Sequence, residues 1–389
     1  MTQRRGRLTG AAAALTVTLA AGALAAPASA ATPRSGHGDH RHAATQRAFD
    51  GAVKEGVPGV TGEARDKYGT WKGTSGLGDL ERGIPRGKDD RFRVGSITKT
   101  FVATVLLQFQ AEGRIDLDDA VGTWLPGVVE GNGHDGDRIT VRQLLNHTSG
   151  IFDATRDEEF QRKVFTKEFL KHRYDTWTPE QLVKIAMGHA PAFEPGEGWQ
   201  YNNTNYLLAG MIIKKVTGRT FDKEIKRRII EPLGLEATSV PVTDPRVPGP
   251  HSKAYSKLHG EAQDPTYDLT ELNPSVAGSA GAVISDAADL NTFYAALLGG
   301  ELLPKKQLAE MKHTTPVDKD DPLGPGYGLG LERRELSCGQ VIWGHDGDIH
   351  GSSNFAVTTP DARHSLAYNF NGDWAGEHDP VLEAEFCDK

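Results

Sequence analysis

Apolar residues recur at helical spacing over residues 96–112, where Ile97, Phe101, Val105, Leu106 and Phe109 fall on one face and Gly113 follows as a C-cap. Shorter helices are predicted over 44–55, over 286–298 and near 380–387, and the pattern from about 114 to 255 is mainly helical, with Pro179, Pro195 and Pro232 marking boundaries. Strand-like stretches bounded by turn residues occupy 59–65 and 69–77. Four more come late, at 327–336, at 340–344 continuing past His345, at 353–358 and at 364–371. Residues 241–273 are rich in proline and poor in periodicity, and read as a long excursion over the surface. Two strands from one end of the chain and several from the other predict an α/β (α+β) fold. In it an antiparallel sheet, built from about 56–80 and 325–372, is flanked by helices and carries a mainly helical insertion; a doubly wound order would alternate strand and helix throughout.

The first thirty residues stand apart. Arg4, Arg5 and Arg7 precede a small-residue apolar run from Ala11 to Ala26 and then Ala28-Ser29-Ala30, the arrangement of a secretory signal over 1–30 cleaved after Ala30. The run is broken by Thr16, Thr18 and Gly22, so no permanent membrane anchor is expected, and Arg4-Arg5 leaves the twin-arginine route open. Residues 31–43 read as a flexible polar tail whose His37, His40 and His42 are solvated rather than metal ligands, and one domain then fills 44–389. With 38% hydrophobic and 25% charged residues the chain is ordinary for a soluble globular protein. Loss of the three signal arginines takes the formal net charge from −8 to −11, a poor balance for binding nucleic acid. Cys338 and Cys387, an even count in an exported chain, are expected to form one disulfide, the alternative being two buried thiols.

Candidate chemistry begins with Ser96 and Lys99. Three positions apart on a helix, the hydroxyl and the amine share a face, and a desolvated amine can take the serine proton. A Ser-x-x-Lys arises about once by chance in a chain of this length, so the motif needs support from elsewhere. Ser96 opens the long helix, where the positive end of the helix dipole favours an oxyanion. Tyr201 and Asn203 lie in a polar, aromatic loop from Phe193 to Tyr206 that leads into a helix at about Leu207. His147, beside a turn ending in Gly150, reads as a structural hydrogen-bonding residue rather than a catalyst. The glycine-rich run from Gly324 to Gly330 precedes strand-like sequence rather than a helix, which excludes a phosphate loop. No Gly-x-Ser-x-Gly is present for a lipase-type elbow.

Ser96-Ile97-Thr98-Lys99, Tyr201-Asn202-Asn203 and His345-Asp346-Gly347 stand in the order and rough spacing of the three motifs of serine penicillin-recognising enzymes. With the flanks Leu144 to Gly150 and Pro195 to Tyr206, the chain resembles the serine β-lactamase and penicillin-binding-protein superfamily from about 44 to 389. The branch it resembles holds secreted D-alanyl-D-alanine carboxypeptidases, class C β-lactamases, D-aminopeptidases and related esterases. The resemblance implies a β-lactamase/transpeptidase-like fold and a serine hydrolase needing no metal or cofactor. It implies that Ser96 is acylated and that Tyr201, kept acidic by Lys99 and His345, relays the proton. Asn203 would bond the substrate amide, and the backbone N–H groups of Ser96 and Asp348 would form the oxyanion hole, with Gly347 between. Whether Lys99 or Tyr201 is the base stays open.

One departure bears on substrate. Similar carboxypeptidases carry threonines where this chain has Asp346 and Asp348, and strand alternation would turn both carboxylates into one subsite. A substrate carboxylate about 5 Å from either would be repelled by about 3 kcal/mol at an effective dielectric near 20. Arg333 or Arg334 could offset this by binding the carboxylate. The leading expectation is a secreted, monomeric serine hydrolase of carboxypeptidase type acting on D-amino-acid peptides, with β-lactams as possible ligands. The alternatives are a D-aminopeptidase, esterase or β-lactamase of the same fold, for which the substrate presents an amine or no charge, or a penicillin-binding sensor that acylates without turnover.

Overall fold

The alternating segments from both chain ends pair into one antiparallel sheet of nine strands, numbered here in chain order. They are β1 (Gly59–Asp66), β2 (Gly69–Asp79), β3 (Ile84–Pro85), β4 (Thr315–Pro316), β5 (Gly326–Tyr327), β6 (Glu332–Glu335), β7 (Val341–Ile349), β8 (Ser352–Thr358) and β9 (Ser365–Phe370), and their spatial order is β4-β5-β6-β7-β8-β9-β1-β2-β3. The structure is a computed structural model and describes residues 41–260, 263–318 and 325–387. The signal sequence and the histidines His37 and His40 lie outside the described residues. The late segment expected as one strand from 327 to 336 divides into β5 and β6, because the Gly328 amide bonds the Leu331 carbonyl in a turn between them.

Period-two alternation gives the sheet two apolar faces. Trp343, Ala356 and Ala367 join the larger core with helices α2 (Thr98–Ala111), α3 (Asn203–Thr217) and α4 (Ala287–Leu298). Ile342, Phe355, Val357 and Tyr368 meet α1 (Ala43–Lys54) and α5 (Asp379–Phe386) on the other side. Along β7, His345 and Gly347 therefore face the α2 layer while Asp346 and Asp348 turn the opposite way. The disulfide joins Cys338, in the β6–β7 turn, to Cys387 at the end of α5. His42, expected in the tail, is instead buried: its Nδ1 lies 3.0 Å from Glu385 and its ring stacks on Trp71 at 5.2 Å.

The helix α2 departs from a simple amphipathic pattern. All but three of its fourteen residues are buried, and the Phe101 ring stacks on Phe293 of α4 at 3.8 Å. A helix enclosed on every side belongs to a core, and each fully buried Leu or Phe there is worth about 1.5–3 kcal/mol. That enclosure extends to Lys99, which has no exposed surface. The helix α3 opens at Asn203, four residues before the expected start, because the Asn202 side chain caps it by accepting from the Asn205 amide. Asn203 thus sits on a rigid first turn rather than in a loop.

Candidate active site

Two glycines decide how close strand and helix come. Ser96 lies in a 3-10 turn, Gly95–Ile97, that leads into α2. Gly95 has φ +53°, and a Cβ there would stand 2.6 Å from the Asp348 carbonyl oxygen. A Cβ on Gly347 would meet the Val94 carbonyl at 2.0 Å and the Ser96 nitrogen at 3.1 Å. Only without side chains at both positions can the β7 backbone lie against the serine turn. The close approach brings the backbones of Ser96 and Asp348 side by side. Gly95 had not been singled out in the sequence, although its position just before the Ser-x-x-Lys was the available signal.

The Lys99 ammonium is held by three acceptors: Ser96 Oγ at 3.0 Å, Asn203 Oδ1 at 2.9 Å and the Ala280 carbonyl at 3.0 Å. Burial pulls its pKa down to about 7, with Asp153, Asp346 and Glu332 opposing the fall. The amine therefore sits within a hydrogen bond of Ser96 and near the point where it gives up its proton at neutral pH. Asn203 is oriented by Asp153 and Thr155, 3.4 and 3.5 Å from its amide nitrogen.

Tyr201 stands over this group, its ring 4.7 Å from the lysine nitrogen. Its hydroxyl is buried beside Ser96 without a hydrogen-bond partner of good geometry. Burial, followed by the charge of Asp346, pushes the phenol well above its usual range. This reverses the expectation of an acidic Tyr201: desolvation favours the neutral phenol. His345 does not turn to Tyr201. Its Nε2 lies 2.9 Å from the Tyr327 hydroxyl and its Nδ1 2.6 Å from the Asp346 carbonyl oxygen. Tyr327 comes from the glycine-rich run and had not been singled out as a site residue. His147, read from sequence as structural, packs its ring 4.5 Å from Tyr201 and 4.7 Å from Tyr327. It is held neutral by burial and by the nearby Lys99 and His345, and its Nδ1 meets Asn205 at 3.3 Å.

A cavity of 700 Å³ opens from Ser96. Asn203 lies on its wall, and Phe160, Val164, Leu182, Leu207 and Val276 give it an apolar side. Its lining also carries three carboxylates, Asp348, Asp373 and Glu377. Among the described residues none of these three forms an ion pair with a cation. Asp348 keeps an exposed surface, but the packed atoms around it on the lining desolvate it and raise it to about 6, the charges of Asp346 and Asp373 adding to the rise against a bond from Ser353. His378, beside them, is held down at about 4 by burial, bonding Ser353 Oγ and the Tyr368 hydroxyl at 2.8 Å each. Lys257 is taken up by the Asp264 carbonyl at 3.0 Å and the Trp374 ring at 5.3 Å.

Three expectations change here. Asp346 and Asp348 share a face, but only Asp348 reaches the cavity wall; Asp346 turns back to His345 Nδ1, 3.3 Å away. Neither Arg333 nor Arg334 lines the cavity, since strand β6 lies one step farther from Ser96. Arg333 bonds Glu335 at 2.9 Å, and Arg334 lies 3.6 Å from both Glu332 and Asp379 and over the Phe355 ring. The 241–273 excursion is not remote, because Ser256, Lys257, His259 and Gly260 wall the cavity. Asp373 and Glu377 carried no motif and could not be found from sequence. The compact group Glu332, His345 and Asp346 offers ligand atoms within 4.8 Å of one another, but His345 Nδ1 is committed as a donor to a backbone carbonyl, which suits a proton there rather than a metal.

The family model described as Beta-lactamase matches residues 44–384. Penicillin-binding protein 4* of Bacillus subtilis (strain 168) is 26% identical over 317 residues, 79% of this chain and 66% of that protein. The putative penicillin-binding protein PbpX of the same organism is 29% identical over 66% of this chain and 57% of its own. The chain thus spans less than two thirds of these relatives' lengths. Among solved structures, a D-stereospecific amidohydrolase from Streptomyces sp. is 60% identical with a TM-score of 0.85, covering 89% of this chain and 98% of its own. The D-amino acid amidase from Ochrobactrum anthropi SV3, complexed with D-phenylalanine, is 28% identical with a TM-score of 0.76 over the same shares.

Proposed function

The chain belongs to the beta-lactamase family of serine hydrolases, and from that premise we propose that it hydrolyses amides of D-amino acids that carry a free α-amino group, through an acyl-enzyme on Ser96. The carrying observation is the acidic wall: Asp348, Asp373 and Glu377 face the cavity with no cationic partner among the described residues. An ammonium about 5 Å from one of them gains about 3 kcal/mol at an effective dielectric near 20, and a substrate carboxylate loses as much. The wall thus favours an aminoacyl amide over a peptide that ends in a free carboxylate. The likeness to a D-stereospecific amidohydrolase and a D-amino acid amidase supports the same substrate class.

In this reading Ser96 Oγ attacks the amide carbonyl and its proton passes to Lys99 Nζ, 3.0 Å away. The oxyanion is received by the N–H groups of Ser96 and Asp348, which the Gly95 and Gly347 contacts hold together. As the tetrahedral species collapses, the carbon–nitrogen bond breaks and ammonia leaves with the proton from Lys99, relayed by the Tyr201 hydroxyl. Water then attacks the ester and Lys99 takes its proton; as the acyl–oxygen bond breaks, that proton passes to Ser96 Oγ and the free D-amino acid leaves. Lys99 is the better base of the two candidates, since burial lowers the amine to about 7 and drives the phenol upward. Asn203 positions both Lys99 and the substrate. Export with removal of 1–30 is part of the proposal; the Cys338–Cys387 disulfide is the kind of bond that persists outside the cytosol.

The test compares D-phenylalanine amide, its N-acetyl derivative and a peptide ending in D-Ala-D-Ala. The expected result is a kcat/KM for the free-amine amide at least tenfold above both others. Equal or faster release of the terminal D-alanine overturns the amidase reading in favour of a carboxypeptidase.

A further inference from the structure

Behind the lysine and tyrosine lies a carboxyl group that the proposed reaction does not use. Glu332, on β6, stands opposite Gly344 of β7, so its side chain shares the face of Asp346. Its Oε1 is 3.8 Å from His345 Nδ1, and only 17% of its side chain is exposed. Every atom facing His345 Nδ1 is an acceptor: the Asp346 carbonyl oxygen at 2.6 Å, Asp346 Oδ1 at 3.3 Å and Glu332 Oε1. That nitrogen must carry hydrogen. The other ring nitrogen meets the Tyr327 hydroxyl, which can donate or accept. The imidazole is thus clamped between two carboxyl groups and a phenol.

We propose that Glu332 is a positioning residue of the acyl-transfer centre, acting through Asp346 and His345 on the charge presented to Lys99 and Tyr201 and so setting the lower pH limit of acylation. Two carboxylates packed together in a low-dielectric site do not both ionise readily. Burial, and then the charge of Asp346, push Glu332 up to about 7. Burial would raise Asp346 as well, but the His345 bond and charge outweigh it and hold that carboxyl at about 2. Glu332 therefore gains its charge over the same pH range in which Lys99 gives up its proton, so the two titrations oppose each other. On β6 the charged group on the same face is Arg334, 3.6 Å from Glu332 and itself drawn toward Asp379 of α5, while Arg333 and Glu335 on the other face pair with each other. From the remaining elements the pair is faced by Lys99 on α2, by Tyr201, by Tyr327 on β5, by Tyr294 on α4, by Tyr368 on β9, by Asp348 farther along β7 and by His378 ahead of α5; the tyrosines and His378 are uncharged near neutrality. Lys99 is the group whose charge state matters, and negative charge on Glu332 favours its protonated, non-nucleophile-activating form.

The sign follows. Ionisation of Glu332 adds charge that stabilises the Lys99 ammonium, so it works against the base as pH rises. Removing that carboxylate lets Lys99 lose its proton at lower pH. This inference rests on Lys99 as the base but not on the amide substrate, so it is read with p-nitrophenyl acetate, a generic activated ester, in pre-steady-state acylation of Ser96 between pH 5 and 9. Glu332→Gln is expected to move the acidic limb of the acylation rate down by about half a pH unit or more, with the plateau rate within a few-fold of the parent. Asp346→Asn, which also leaves one charge on the pair, is expected to move it the same way, and Glu332→Asp to restore the parent profile. A uniform loss of rate with the limb in place overturns the proposal, as does an unchanged profile. Should Glu332→Gln fail to fold, the Asp346→Asn profile decides by the same criterion. If D-phenylalanine amide is not hydrolysed while these limbs shift as stated, the substrate reading falls and this one stands.

Discussion

The two sides of the Ser96 cavity are built on opposite principles. On the Lys99 side the charged group is enclosed and saturated: three acceptors surround the amine, and the residues that hold it sit on α2 and on the capped first turn of α3. On the cavity lining, at the end of β7 and in the loop before α5, stand three carboxylates that pair with no cation among the described residues. Saturation fixes geometry, which the bond-making step requires whatever the substrate. Unpaired charge stores a preference that only a substrate of the opposite sign releases. The difference separates the residues that set rate from those that set choice.

Replacement of Ser96 by alanine strikes the first side hardest. Amide hydrolysis and ester acylation are both expected to fall at least about 10⁴-fold, as in other serine hydrolases stripped of their nucleophile, and persistence of either would remove Ser96 from the mechanism. Lys99→Gln comes next, with a loss of about 10²–10⁴ in kcat and little change in KM, because it deletes a base without touching the acidic wall. The pH dependence carries the same information without mutation. Lys99 is lowered to about 7, so the rate should rise with pH through that region and fall below it as the amine takes a proton; a flat profile from pH 5 to 8 excludes Lys99 as base.

Asp348→Asn tests the second side and should act through choice. Its expected effect is a tenfold or greater loss in kcat/KM for D-phenylalanine amide, carried mostly by KM, with activity on a neutral ester nearly unchanged. It should also change stability with a definite sign. A carboxyl raised in the folded protein to about 6 costs stability above that pH and costs none below the unfolded value, so the asparagine variant should gain in Tm at pH 8 relative to the parent and gain little at pH 4. A Tm difference equal at both pH values would mean that Asp348 is not strained. The smallest effect on activity belongs to Cys338→Ser. Loss of a bridge spanning 49 residues removes about 4 kcal/mol of stability on the chain-entropy model. Since the bridge tethers the helix that follows Asp373 and Glu377, the variant should raise KM for the free-amine amide a few-fold while leaving ester acylation intact.

Which parts of this were legible in the chain follows from how local each signal is. The Ser96–Lys99 contact was readable because the two are three residues apart in a helical pattern, and helical geometry alone brings them together. The antiparallel sheet from both chain ends was readable from period-two alternation, and the Cys338–Cys387 pair from its count. The opening of α3 was placed four residues late because an asparagine cap gives a weaker sequence signal than the proline and glycine before it.

Sequence by itself determined the family, through the Ser96–Lys99 pair and the three ordered motifs, because each rests on side-chain identity and short-range spacing. Tertiary structure alone decided what surrounds them. Alternation along β7 placed Asp346 and Asp348 on one face, yet only the pairing with β6 set Asp346 against Glu332 and His345, and only the end of the strand left Asp348 at the cavity. Arg333 and Arg334, expected to balance Asp346 and Asp348, lie on β6, one strand farther from the serine than β7. Asp373 and Glu377 reach the same wall from near the end of the chain. Burial did the rest: it pulls Lys99 down to about 7 and pushes the Tyr201 phenol well above its usual range, and desolvation is a property of packed neighbours that no local pattern records.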